Sequence, residues 1–322
     1  VTPDHPVLLE HASGHSVLLN QYAMKLLKIT GSTQVPEGGL IVLENGTPTG
    51  LLHEAAIELT HPLLHYNLET ALNLVEAAQH HILSQGITSA HDAGAGQIDL
   101  AAQKRLAEEG RLTLRLYSMI DATDDEAMKD WLEHGHLIAT DKQRLTIRSI
   151  KVQADGALGS RTAWLHEPYS DNPESVGVST YNLERLENLV LRTRPDKWQI
   201  NVHAIGDRAN SEVLDIFSRT TAGYLNLRFR IEHAQHLKDG DAQAFADIGI
   251  IASMQPIHLS SDRPWAIYRL GSRRIEEGAY RWQDLVLRGV VVAAGSDAPV
   301  EPVNPIANFY AAITRRQLNG TP

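Results

Sequence analysis

The sequence predicts an α/β fold, a (β/α)8 TIM barrel, on three observations. Helix-like runs end at glycine and pass directly into short apolar runs. Seven such apolar runs lie between Ile87 and Ala294. No G-x-G-x-x-G follows any of them, which removes the signature of the doubly wound open sheet. Helix, glycine and strand in repetition mean parallel strands joined by crossover helices. A glycine just past a helix takes the left-handed closing conformation at little cost. A full barrel takes about 250 residues and eight strands, so the first strand is expected to be missing and to lie before Val1.

Residues 1–65 read as a loop-rich excursion, a lid with a β-hairpin. Pro6-Val-Leu-Leu9 and His15-Ser-Val-Leu-Leu19 flank a Ser13-Gly14 turn. A short helix over 21–29 stops near Gly31, and Pro36, Gly38, Gly39, Asn45-Gly46 and Pro48 mark turns. Residues 66–322 form the barrel body. Helix 69–85 ends at Gly86 before strand 87–92, and helix 97–109 ends at Gly110 before strand 112–118. Helix 124–134 ends at Gly135, ahead of a strand that opens at Thr146 and carries Lys151. Helix 183–193 leads to strand 199–203, and helix 209–221 stops at Gly223 before strand 227–233. Helices 242–248 and 282–288 stop at Gly249 and Gly289, before strands 250–254 and 290–294.

Composition narrows the function classes. A net charge of −10 without a polybasic run argues against nucleic acid and anionic membrane surfaces. No apolar run approaches the ~20 residues of a membrane helix. With no cysteine, a thiolate zinc site and disulfides are excluded, while 16 histidines are an ample supply of other ligands. The chain opens on an apolar run without Met, and both ends read as truncations. No signal peptide is visible, so the expected location is cytoplasmic. The expected partner is a small-molecule substrate, with homo-oligomers left open.

Catalytic groups of a (β/α) barrel sit at the C-terminal ends of its strands. Those ends carry His91-Asp92, Lys151, His203, His233 and Gly295-Ser-Asp297. A lone strand-end histidine is more often a satisfied structural residue, and a lone aspartate more often a cap. The barrel, however, brings these ends to one mouth. Two histidines and an aspartate make an N/O site suited to zinc or a similar divalent ion. Lys151 stands where burial of an ammonium is expensive unless it is paired, neutralised or modified.

The segments Lys151-Val-Gln-Ala-Asp-Gly156, Ser160-Arg-Thr-Ala163, Val202-His-Ala-Ile-Gly-Asp207, Ile231-Glu-His-Ala-Gln235, Ser253-Met-Gln-Pro256 and Gly295-Ser-Asp-Ala-Pro299 occur in order. With Gly14-His-Ser-Val-Leu-Leu-Asn20 and Gly86-Ile-Thr-Ser-Ala-His-Asp-Ala-Gly94, the set resembles the YtcJ-like branch of the metal-dependent amidohydrolase superfamily (amidohydrolase family 3). The resemblance implies a distorted (β/α)8 barrel with one or two divalent metal ions, held by Lys151, His203, His233 and Asp297, with Lys151 carboxylated to a bridging carbamate. It implies hydrolysis of a non-peptide C–N bond, in an amide, formamide, urea or cyclic amide, with Asp297 catalytic. The family's His-x-His pair and its terminal β-sandwich have no counterpart here; His134-Gly-His136 follows a helix.

Substrate-binding or supporting roles fall to His91, Asp155, Arg161, Gln255, His258 and His15, with Asp207 expected as a helix cap. The simpler alternative for Lys151 is an ion pair with Asp155 or another carboxylate. The alternative activities are a phosphoesterase or lactonase on the same metals. A metal-free barrel serving as a binding or regulatory module is the alternative of another class.

Overall fold

The computed structural model describes every residue except Val1, Ala12, His65, Tyr66, Lys142, Leu225 and Pro322. The expected boundary between residues 65 and 66 lies outside the described residues.

Near the N-terminus β1 (Leu8–Glu10) and β2 (Ser16–Leu19) pair antiparallel across the Ser13-Gly14 turn, with Leu9 opposite Leu18. The helix α1 (Gln21–Leu26) follows, capped by the Asn20 side chain on the Ala23 N–H. The turn residues at 36–48 flank a second hairpin, β3 (Gly39–Glu44) and β4 (Thr47–Glu54). At its tip Asn45 (φ 50°) and Gly46 (φ 78°) are both left-handed. This is what a two-residue Asn-Gly loop adopts to match strand twist. The four strands form one antiparallel sheet, ordered β1-β2-β4-β3. Val17, Leu19, Ile41 and Leu52 bury its inner face. A 3₁₀ segment, Ala55–Leu63, leads away from it.

The remainder alternates helix and strand. The elements run α2 (Leu68–Ser84), β5 (Ser89–Ala95), α3 (Gln97–Glu108), β6 (Arg115–Asp121), α4 (Asp125–His134) and β7 (Leu145–Gln153). They continue with α5 (Leu183–Thr193), β8 (Gln199–Ala204), α6 (Asp207–Thr220), β9 (Arg230–His233), α7 (Asp241–Ile248) and β10 (Ile251–Met254). The last are α8 (Pro256–Gly278), α9 (Trp282–Leu287), β11 (Val292–Ala294) and α10 (Pro305–Thr314). Gly249 and Gly289, both at φ 80°, close α7 and α9 in the left-handed conformation.

β5 to β11 form one parallel sheet in sequence order. Among the described residues β5 and β11 do not pair, so the sheet has two free edges. It is strongly curled. His91 on β5 and Arg230 on β9 touch at 2.6 Å (Nδ1 to Nη1). Four strand spacings in a flat sheet amount to about 19 Å, more than the two side chains can span. The helices pack on the outer face, where Leu100, Ile120, Val202, Phe217, Ile231 and Phe245 belong to one core. No described helix is long and apolar enough to cross a membrane.

One irregularity in β7 decides which side chains point inward. Ser118 of β6 pairs with Ile147, and the next residue, Met119, pairs with Ser149. Arg148 is therefore an extra residue, a bulge. Before it Leu145 and Ile147 join the helix-side core; after it Ile150 and Val152 do. Without the bulge, strict alternation would have turned Lys151 into that core.

Candidate active site

The concave face of the curled sheet holds a cavity of about 370 Å³. Lys151 and Gln153 of β7, His203 of β8, and Glu232 and His233 of β9 line it. Gln255 and Asp297, from the segments after β10 and β11, and His15, from the N-terminal sheet, complete the wall. Glu232 and His233 are sequence neighbours, which a regular strand would send to opposite faces. The strand ends at His233, whose φ of 76° breaks the alternation.

Lys151 is buried, and burial lowers its pKa, against the pull of Glu232 and Asp297. The Asp155 alternative fails on geometry. Asp155 instead accepts the backbone N–H groups of Trp164 (2.8 Å), Ile205 (3.0 Å) and Gly206 (2.8 Å). Burial pushes its carboxyl up to about 7, against those three donors. Asp155 thus ties the 156–165 loop to the end of β8.

His203 turns Nε2 toward the Gly156 carbonyl at 3.2 Å and lies 3.4 Å from an Asp155 oxygen. Its ring stands edge-on to His233 at 4.5 Å and 5.0 Å from His15. Burial, then the neighbouring His233, holds it well below the ordinary histidine pKa. His15 Nδ1 meets Glu54 Oε2 at 2.8 Å. Glu54, buried at the end of β4, leaves its other oxygen without a partner.

His233 Nδ1 meets Gln255 Oε1 at 2.7 Å. The Gln255 amide nitrogen donates to the Ser253 carbonyl at 3.2 Å, which fixes the orientation of the amide. Nδ1 of His233 therefore carries the proton, and Nε2 offers a lone pair. His258, in the first turn of α8, is 8 % exposed. Its Nε2 has no hydrogen-bond partner. Burial, then His233, lowers its pKa to about 4. Potential ligand atoms of His233, His258 and Asp297 lie within 4.8 Å of one another. This donor set, with an orphaned nitrogen and a tautomer already fixed, fits a divalent ion.

Other expected residues lie elsewhere. Arg161 sits outside the cavity lining and pairs with Asp171, Nη2 to Oδ2 at 2.9 Å, within its own loop. His91 lies deeper in the concave face, against Arg230 and the Tyr117 ring (4.9 Å). Asp207 is the first residue of α6 and accepts the Arg208 and His166 N–H groups, while Gly206 holds the cap position. Glu54, Glu232 and Arg230 went unnoticed in the sequence. Arg230 grips Glu232 (Nη2 to Oε1, 2.7 Å). Opposite charges two residues apart in β9, and so on one face of it, were the available signal.

The family model described as "Amidohydrolase family" matches residues 1–321. The putative amidohydrolase YtcJ of Bacillus subtilis (strain 168) is 34% identical over 98% of this chain and 59% of its own length. Protein LONG AFTER FAR-RED 3 of Arabidopsis thaliana is 32% identical over 98% of this chain and 56% of its own. Among solved structures, an uncharacterized metal-dependent hydrolase from Pyrococcus furiosus aligns with a TM-score of 0.77 at 29% identity. That alignment covers 96% of this chain and 62% of the other. The chain thus spans less than two thirds of the length of each of these relatives.

Proposed function

Because the chain belongs to the amidohydrolase family, we propose that it acts as a metal-dependent hydrolase on a small molecule in the cytoplasm, cleaving a non-peptide C–N bond. An amide, formamide, urea or cyclic amide is the substrate class. The observation that carries the reading is convergence: Lys151 of β7, His203 of β8, His233 of β9 and Asp297 from the segment after β11 line one cavity. We read the curled sheet as the larger part of an eight-stranded barrel, with the remaining strand between β5 and β11.

In this reading the four residues hold one or two divalent ions, zinc first among them by donor type. When bound, the metal lowers the pKa of water and polarises the substrate carbonyl. The lowered pKa of Lys151 favours a neutral amine. That amine adds to carbon dioxide and releases one proton, giving a carbamate that can face cations. Asp297 accepts a proton from the attacking water and returns it to the departing nitrogen. Glu54 holds the His15 ring at the cavity wall, and Gln255 keeps His233 in its ligating tautomer.

Asp297→Asn in the full-length enzyme should lower kcat by about a thousandfold or more, within the range for loss of a proton-transfer group, and leave the circular dichroism unchanged. Retained turnover sinks the assignment. A panel of amides, esters and phosphodiesters separates the C–N reading from a lactonase or phosphoesterase. Absence of bound metal, with no activity restored by zinc, points instead to a binding module.

A further inference from the structure

We propose that His258 is a direct metal ligand, forming with His233 and Asp297 a three-residue site beside Lys151 and His203. The inference shares two residues with the centre proposed above and rests on that reading of the cavity. It adds a ligand that the strand-end pattern did not supply, because His258 belongs to a helix and not to a strand.

Three observations carry it. The potential ligand atoms of the three residues already lie within 4.8 Å of one another, near enough that small side-chain shifts would let one ion meet all three. Both imidazoles have a nitrogen free for it. His233 is fixed by Gln255 with Nε2 unprotonated, and His258 Nε2 is buried with no partner. A buried orphaned ring nitrogen is uncommon, because burial without a hydrogen bond costs free energy; coordination would remove that cost. The third observation is that the site is braced. Asn308 of α10 accepts the Ile257 N–H at 2.9 Å and donates to the Gly295 carbonyl at 3.0 Å. One buried amide thus joins the start of α8, which bears His258, to the loop that bears Asp297.

Two imidazoles and one carboxylate leave coordination positions open for water or substrate. That is the donor set of catalytic zinc and of other first-row divalent ions. Because His233 offers a single free nitrogen, it can serve this ion or one held by Lys151 and His203, but not both. The ligand-atom distances put that nitrogen's ring within reach of an ion shared with His258 and Asp297.

Titration of the chain with Co(II), followed by its visible d–d absorption, tests the assignment. Wild type should bind Co(II) in a low-symmetry site, and His258→Gln should weaken binding by more than the ~10–100-fold that loss of an outer hydrogen-bonding partner costs. Unchanged affinity and spectrum in a folded His258→Gln protein overturn the inference. If that variant fails to fold, His258→Cys decides. The chain has no native cysteine, so a thiolate-to-cobalt charge-transfer band would come from position 258, and its absence would sink the proposal. Loss of Co(II) binding in Lys151→Met and His203→Gln, but not in His258→Gln, leaves the proposed function standing without His258. Co(II) held through His258 with no hydrolysis of any C–N substrate does the reverse. No Co(II) binding by wild type removes both.

Discussion

Burial disfavours the ammonium form of Lys151 and lowers its pKa, against the pull of Glu232 and Asp297. Lys151 contributes no ion pair that its loss would break. Lys151→Met, which keeps the volume, should therefore leave the melting temperature unchanged or raised while abolishing turnover. A melting temperature lowered by several degrees would show that the ammonium is a structural partner. His236 makes a different prediction. It is fully enclosed, and burial lowers its pKa from 6.5 to about 3. The unfolded chain then takes up the proton first, so stability present above pH 6.5 is lost as pH falls toward 3. At pH 5 the loss is about 2 kcal/mol from this residue. Urea unfolding of wild type and His236→Gln between pH 7 and 5 should show the dependence flattened in the variant. At this scale Lys151, His203, His233 and Asp297 could be read because a curled sheet gathers polar residues at or near its strand ends, and all four line the cavity, whereas His91 packs against Arg230 and Tyr117 outside its lining. Glu54 could not be read, because its approach to His15 depends on the packing of a separate sheet.

Among elements, the glycine-closed helices and the strands after them could be read because their apolar positions repeat at the expected periods. Other elements were concealed by residues that disturb those periods. α8 contains Pro264 and a kink at Gly271, where φ is 73°. β4 contains Pro48, which reads as a turn residue although it lies within a strand. The packing of α6 against the sheet is the place to test an element. Phe217 is fully buried, 4.9 Å from the Phe229 ring. Phe217→Ala should cost about 3–5 kcal/mol, measured by denaturant unfolding. A cost below about 1 kcal/mol would mean that the helix is not held by this contact.

For the molecule as a whole, the curl of the sheet is what makes a site. It brings side chains from β7 to β11 and from the N-terminal sheet to one cavity, although they are distant in sequence. The repeating pattern predicted parallel strands, but curvature and edge pairing depend on side chains meeting across the sheet, as His91 and Arg230 do. A ligand that binds only this assembled state stabilises it by mass action. Zinc at 100 times its Kd should add about 2.7 kcal/mol, seen as a melting temperature several degrees higher and reversed by chelator. No shift with zinc, cobalt or manganese would mean that the folded cavity has no affinity for such ions. The extra residue at Arg148 gives the assembly a dependence on strand register as well as residue identity. Deleting Arg148 would join Ile147 directly to Ser149, so strict alternation would by itself keep Ile150 and Val152 in the helix-side core and Lys151 facing the cavity. With Arg148 retained, flattening the bulge into a regular ladder would instead turn Lys151 into that core, so the site in β7 should survive the loss of this one residue but not the loss of its bulge.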